Sequence, residues 1–180
     1  AGKDVYYAAF STARQSLPEG FPDDTLKVEV KHAMTALGIP EDHLILFDYE
    51  VRKLSYVRQE VLENMVQILK SIPVDLVFMP SLHDIHQDHT TVAVEGLRAF
   101  KTRTILGYEL IWNNLSFKTE CFVRLEQRHI AKKCVALRSY RSQAGKPYFS
   151  EDFITALART RGVQIGADYA ECFEVIRWVM

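Results

Sequence analysis

Between Pro80 and Thr90 the chain places three of its six histidines and two aspartates in consecutive reach of one another: His83-Asp84-Ile85-His86-Gln87-Asp88-His89. Imidazole binds zinc and similar divalent metals, and carboxylates either complete such sites or orient the imidazoles. His86 and His89 are spaced so that, at a junction between a turn and a helix, both can face one pocket. The plainer reading is a polar turn in which Asp88 caps the following helix, because Asp is a favoured N-cap. The place of the segment in the chain weighs against that plainer reading, and it depends on the elements around it.

Val74 to Met79 is a short apolar run and reads as a strand, which puts the histidine-rich turn at its carboxyl end. Upstream, Val5 to Ser11 reads as a strand. Asp24 to Leu37 reads as a helix that stops at Gly38 and turns Leu26, Val30, Ala33, Met34 and Leu37 inward. His43 to Asp48 gives a second strand. Tyr56 to Ile72 gives a long helix, with Val57, Val61, Met65, Ile68 and Leu69 on one face and Pro73 as its stop. Downstream, a helix from about Asp88 to Phe100 and a strand from Thr104 to Leu110 follow. Beyond them the pattern predicts a strand at Glu120 to Leu125, helices at Arg128 to Arg141 and Ser150 to Thr160, and a last strand at Cys172 to Val179. Strands alternating with amphipathic helices point to parallel βαβ units in a three-layer α/β/α domain over residues 1–180. Such sheets bind ligands at the carboxyl ends of their strands, so the turns after Ser11, Asp48, Met79 and Leu110 are where function is expected.

Composition narrows the partners. The 180 residues carry 22 Lys and Arg against 23 Asp and Glu, a formal net charge of −1, with no block of like charge. Nucleic acid and anionic membrane surfaces are therefore not expected partners. No apolar stretch reaches the length of a membrane span and the first residues lack signal-peptide features, so the expected compartment is the cytoplasm. Cys121, Cys134 and Cys172 form no Cys-x-x-Cys pair and read as small buried apolar residues. The run Arg128, Lys132, Lys133, Arg138 and Arg141 has helical spacing and reads as a solvated face.

Two lookalikes are weaker. A His-Asp pair also occurs in helical phosphohydrolases of the HD type, but His83-Asp84 follows a strand and Pro80 rather than lying inside a helix. Phe21-Pro22-Asp23-Asp24 has Phe where a metal ligand would be needed and reads as a turn with a helix cap. Trp112, Asn113, Asn114, Phe117 and Tyr148 could line a sugar subsite or pack their loops. Glu171 could orient groups of a site or pair with a basic neighbour.

Two blocks carry a resemblance. Val74 to Phe78 followed by Asp84 to His89 resembles the second conserved motif of the PIG-L/LmbE-like N-acetylglucosaminyl deacetylases. Ala136-Leu137-Arg138-Ser139-Tyr140-Arg141-Ser142-Gln143, with Arg161 to Phe173, is similar to that family's closing signature. The opening Gly2 to Ser11 looks like the family's second strand, and Glu29, Ala33, Leu37 and Gly38 look like its following helix.

The resemblance implies a Rossmann-like, mainly parallel fold and a deacetylase that uses a divalent metal, usually zinc. The implied reaction removes an N-acetyl group from a sugar, nucleotide sugar or sugar conjugate. In that scheme the cation polarises the amide carbonyl and acidifies a bound water while a carboxylate takes the proton. His89 looks like the metal ligand, His86 like the histidine facing the tetrahedral intermediate, and Asp88 like its orienting neighbour. Asp84, Glu109 and Trp112 look like pocket residues near the substrate.

The sequence also departs from the family. Its opening Ala-His-Pro-Asp-Asp-Glu motif, which supplies two further ligands and the general base, has no counterpart here, and Leu26 stands where many members carry Arg. One histidine does not make a catalytic zinc site. The expectation is that the natural polypeptide has an additional amino-terminal stretch with a central strand. The alternatives are a non-catalytic member that persists as a binding or scaffold protein, and a hydrolase of the same fold acting on another amide. The expected partner is a small N-acetylated sugar, with homo-oligomer formation left open.

Overall fold

The regular spacing of apolar residues is realised as alternating strands and helices in a computed structural model that describes residues 2–180. In chain order these are β1 (Tyr7–Ala9), α1 (Thr25–Leu37), β2 (Leu44–Leu46), α2 (Arg58–Ser71), β3 (Leu76–Pro80) and α3 (Gln87–Ala99). They continue with β4 (Thr104–Tyr108), β5 (Cys121–Leu125), α4 (Gln127–Arg138), α5 (Glu151–Val163) and β6 (Tyr169–Arg177). The fold is α/β. β1 pairs with β2 in parallel, β3 with β4 in parallel, and β4 with β6 antiparallel. The strands form two hydrogen-bonded groups, β1-β2 and β3-β4-β6-β5, so β1 and β3 each bond along one edge only.

The chain divides into two compact units, each made of two stretches of sequence, with the division running through β5 and β6. The first holds the residues up to Val51 together with Arg124–Glu171. Its core joins Val30, Ala33 and Met34 of α1 to Ala136 of α4, with Leu44 and Leu46 of β2 packed against them. Ile130 and Cys134 of α4 meet Ala158 of α5 and Tyr169 in a second cluster. α1 stops where Gly38 adopts a left-handed conformation, φ 77°, and its N–H closes onto the last carbonyls of the helix. The basic face of α4 is paired rather than bare: Arg128 meets Glu126, Lys133 meets Glu171, and Arg138 meets Glu151. Glu171 thus pairs with a basic neighbour.

The second unit holds Arg52–Val123 and Cys172–Met180. Here β3, α3 and β4 make a βαβ unit, the connection that parallel strands require. Val61 and Met65 of α2, Ala93 of α3 and Ile105 of β4 are at most 3% exposed. Each large one contributes roughly 1.5 to 3 kcal/mol of burial. Gly96 is what lets α3 lie against β3, since a Cβ there would stand 2.7 Å from the Met79 sulfur.

Boundaries move where side chains compete with the helical ladder. α4 ends at Arg138 instead of reaching Arg141. The backbone N–H and hydroxyl of Ser142 are both taken by the Glu29 carboxylate, at 2.8 and 2.6 Å, which holds the following turn out of helix. Leu54–Val57 forms a 3-10 turn before α2, and the N–H of its first residue, which has no helical carbonyl to reach, donates to Asp88.

Candidate functional site

β3 and β4 run side by side in parallel, so the turns that leave them emerge together. The turn after β3 carries residues 81–86 into α3, and the turn after β4 carries residues 109–114. The two are tied by backbone contacts: the Ile85 N–H donates to the Asn113 carbonyl at 3.1 Å, and Asp84 bridges to Asn114. The Asn114 side chain closes its own turn by accepting the Leu110 N–H at 2.7 Å.

Within this frame the motif's polar atoms are spent on one another. Asp84, 4% exposed, accepts the His86 N–H at 2.8 Å with one oxygen and holds His89 Nδ1 at 2.8 Å with the other. Asp88, 6% exposed, accepts the backbone N–H groups of Arg52 and Leu54, one on each oxygen. The helix cap is His86, not Asp88: its Nδ1 accepts the Asp88 N–H at 3.2 Å, while Asp88 lies inside the first turn. An imidazole can cap in this way because a neutral ring keeps one lone pair in its plane. Burial first, and the neighbouring His89 second, hold the His86 ring below the usual imidazole range, so it stays neutral near pH 7.

The hydrogen bonds orient the two rings. His86 accepts at Nδ1, so its proton sits on Nε2 as a donor. His89 turns its Nδ1 to the Asp84 carboxylate, which leaves Nε2 as the outer nitrogen of that ring. The rings stack with centroids 4.5 Å apart and planes 28° apart, and the His89 side chain is 33% exposed. The two Nε2 atoms are therefore the ring nitrogens that these hydrogen bonds leave over, on neighbouring stacked rings. Glu109 follows β4, half-buried, and Trp112 in the same turn is 44% exposed. The His83 ring faces solvent while its backbone N–H donates to Ser81.

Several contributors escape the motif. Asn113 brings its amide to 3.5 Å from His89 Nδ1. Arg52 has a left-handed backbone, φ 68°, held by its bond to Asp88. Glu174 of β6 is buried beneath the turn and accepts the Ser81 hydroxyl. The sequence signal for Glu174 is an acidic residue flanked on both sides by apolar ones, Cys172 and Phe173 before it and Val175 and Ile176 after it, which must find a buried donor.

The donor set gives a direct test of a metal centre. His89 has the carboxylate-backed geometry of a metal-binding imidazole. Among the described residues, however, no three His, Cys, Asp or Glu side chains gather as a metal site. A catalytic zinc ordinarily takes three protein ligands and a water. The residues present supply one such ligand and do not fit a whole site. Clefts of about 620 and 910 Å³ among the described residues of the first unit are not lined by residues of the 81–89 or 109–114 segments.

Comparison with known proteins gives the same fold. A family model described as PIG-L, GlcNAc-PI de-N-acetylase, matches residues 3–100. No curated protein matches the chain. A conserved protein of Thermus thermophilus is 22% identical with a TM-score of 0.78, over 96% of this chain and 81% of that one. The N,N'-diacetylchitobiose deacetylase of Pyrococcus horikoshii, crystallised with an inhibitor, is 19% identical with a TM-score of 0.77, over 96% and 73%. A triple mutant of a deacetylase of the teicoplanin biosynthetic pathway is 15% identical with a TM-score of 0.73, over 98% and 87%.

Proposed function

Given that this chain belongs to the PIG-L family, we propose that it recognises an N-acetylated sugar at the paired imidazoles and, with the residues described, binds it without hydrolysing it. The observation that carries this reading is the commitment of the carboxylates. All four oxygens of Asp84 and Asp88 already hold N–H groups of the motif or of residues 52–54. General-base hydrolysis needs a carboxylate within reach of a water and able to take its proton.

What remains open in the site suits an acetamido group. That group offers a carbonyl oxygen, which the His86 Nε2 proton can bind, since His86 Nδ1 is already taken by the Asp88 N–H. The exposed face of Trp112 suits the apolar side of a pyranose ring, with Glu109 within the same turn for a hydroxyl. The partner is then a sugar, nucleotide sugar or sugar conjugate, and the chain acts as a binding or scaffold member in the cytoplasm. We read residues 1–180 as one domain, with self-association permitted. No helix among the described residues is long and apolar enough to cross a membrane.

One observation favours a second reading, the metal-dependent N-deacetylase: the Asp84–His89 pair, which is how proteins orient a zinc ligand. On that reading zinc is the cofactor, His89 is one ligand, His86 faces the amide oxygen and Asp88 orients it. The other ligands and the base are then supplied from outside the described residues.

The two readings part in one experiment. The purified chain is titrated with N-acetylglucosamine while the imidazole resonances of His86 and His89 are followed, and acetate is assayed with and without zinc. Saturable shifts without acetate are expected. Zinc-dependent acetate release abolished by His89→Ala would replace binding by catalysis, and an absence of both would remove the site from either reading.

A further inference from the structure

Beneath the turn that carries the histidines lies a buried carboxylate that the motif does not include. Glu174 is 5% exposed and stands opposite Gly107 in the β4–β6 ladder. One oxygen accepts the Ser81 hydroxyl and the other accepts the Lys118 N–H at 2.9 Å. Ser81, 1% exposed, in turn accepts the His83 N–H at 3.0 Å. A single chain of hydrogen bonds thus runs from the segment after β4, through β6, to the first residue of the turn after β3. Gly107 makes room for it: a Cβ there would lie 3.2 Å from the Ser81 Cα and 3.5 Å from the Glu174 carboxylate.

Neither donor to Glu174 is a cation, so its burial is not explained by an ion pair. A buried charge without a counter-ion is costly, and an amide of the same shape would be less so. The hydrogen-bond polarity explains the carboxylate. Both of its oxygens accept, whereas a glutamine has a single acceptor oxygen and would leave either the Ser81 hydroxyl or the Lys118 N–H facing another donor.

We propose that Glu174 is the positioning residue of the site: through Ser81 it fixes the turn after β3, and through Lys118 the segment after β4, so that the imidazoles and the Asn113 side meet in register. It touches no ligand and acts through the backbone of the turns. This rests on the reading of the 83–89 segment as a ligand site, although its structural consequence is measurable without any ligand.

The test compares Glu174→Gln with Glu95→Gln. Glu95 is also fully buried, but it lies on α3 and pairs with Arg58 and Arg98, away from the turns. Amide exchange at His83 is expected to quicken about tenfold in Glu174→Gln, the loss of roughly one buried hydrogen bond. The His86 and His89 ring resonances are expected to move as well. In Glu95→Gln the melting temperature falls and neither signal changes. Ser81→Ala cuts the same chain and reproduces the Glu174→Gln pattern, which keeps the test alive should Glu174→Gln fail to fold. If stability falls in Glu174→Gln and Ser81→Ala but His83 exchange and the ring resonances stay put, Glu174 is structural only and the proposal fails. N-acetylglucosamine titration of the unaltered chain is the separate check: its failure removes the ligand reading and leaves the exchange result standing.

Discussion

Glu29 and Asp84 are buried to nearly the same degree, 6% and 4% exposed, and each spends both oxygens on hydrogen bonds. Their bonds end in different places. Glu29, in the first unit, takes the Ser142 N–H and hydroxyl, and Ser142 is bonded in turn to the equally buried Gln143. Asp84, in the second unit, takes one backbone N–H and one imidazole, and that imidazole is a third open to solvent. Burial alone therefore does not mark a functional acid. What marks it is whether the hydrogen-bonded chain it anchors ends on a group a ligand can reach.

The contrast can be broken most forcefully at Glu29. Glu29→Ala strands two buried donors and is expected to lower stability by about 3 kcal/mol, read from urea denaturation. A loss below about 1 kcal/mol would show that water replaces the carboxylate and that the link is not a structural one. At Asp84 the expected loss is smaller, about 1 to 2 kcal/mol for Asp84→Asn, because the amide oxygen keeps one of the two bonds. Its signature is chemical instead. With an amide N–H now facing the ring, His89 is expected to shift its proton from Nδ1 to Nε2, visible in the imidazole nitrogen shifts. An unchanged tautomer would reduce Asp84 to the role Glu29 plays.

Much of this contrast was legible in the sequence, and the part that was not has a physical cause. The strand and helix alternation, the stop at Gly38 and the turn at residues 83–89 follow from local periodicity and backbone preference. Asp is the better N-cap by preference, yet Asp88 does not cap α3, because its oxygens are taken by the N–H groups of Arg52 and Leu54, more than thirty residues distant in sequence. The partners of Glu174 and of Asn113, which the sequence offers only as a subsite or loop residue, are non-local for the same reason: they are set by the β4–β6 pairing and by the tie between two turns. The arrest of α4 at Arg138 likewise depends on Glu29, from the other end of the chain. Local rules placed the elements, and long-range hydrogen bonds decided which polar residues were structural and which stayed open.

The finest way to sharpen the contrast is Tyr140, which packs against the α1 and α4 core of the first unit. Burial first, then the nearby Tyr7 and Glu29, push its phenol above the ordinary tyrosine value. An acid whose folded value is raised contributes stability that is fully present below its unfolded pKa, about 10, and is lost as pH rises from there towards the folded value. The chain is accordingly expected to lose up to about 1.4 kcal/mol per pH unit above pH 10 from this group, with Tyr140 among the last phenols to ionise in an absorbance titration. Tyr140→Phe should remove that slope while changing stability at pH 7 by no more than about 0.5 kcal/mol. Burial raises the Tyr7 phenol as well, so a smaller slope remains in the variant; if Tyr140→Phe leaves the slope unchanged, the alkaline loss belongs to another group, and Tyr140 is less sealed than Glu29 implies.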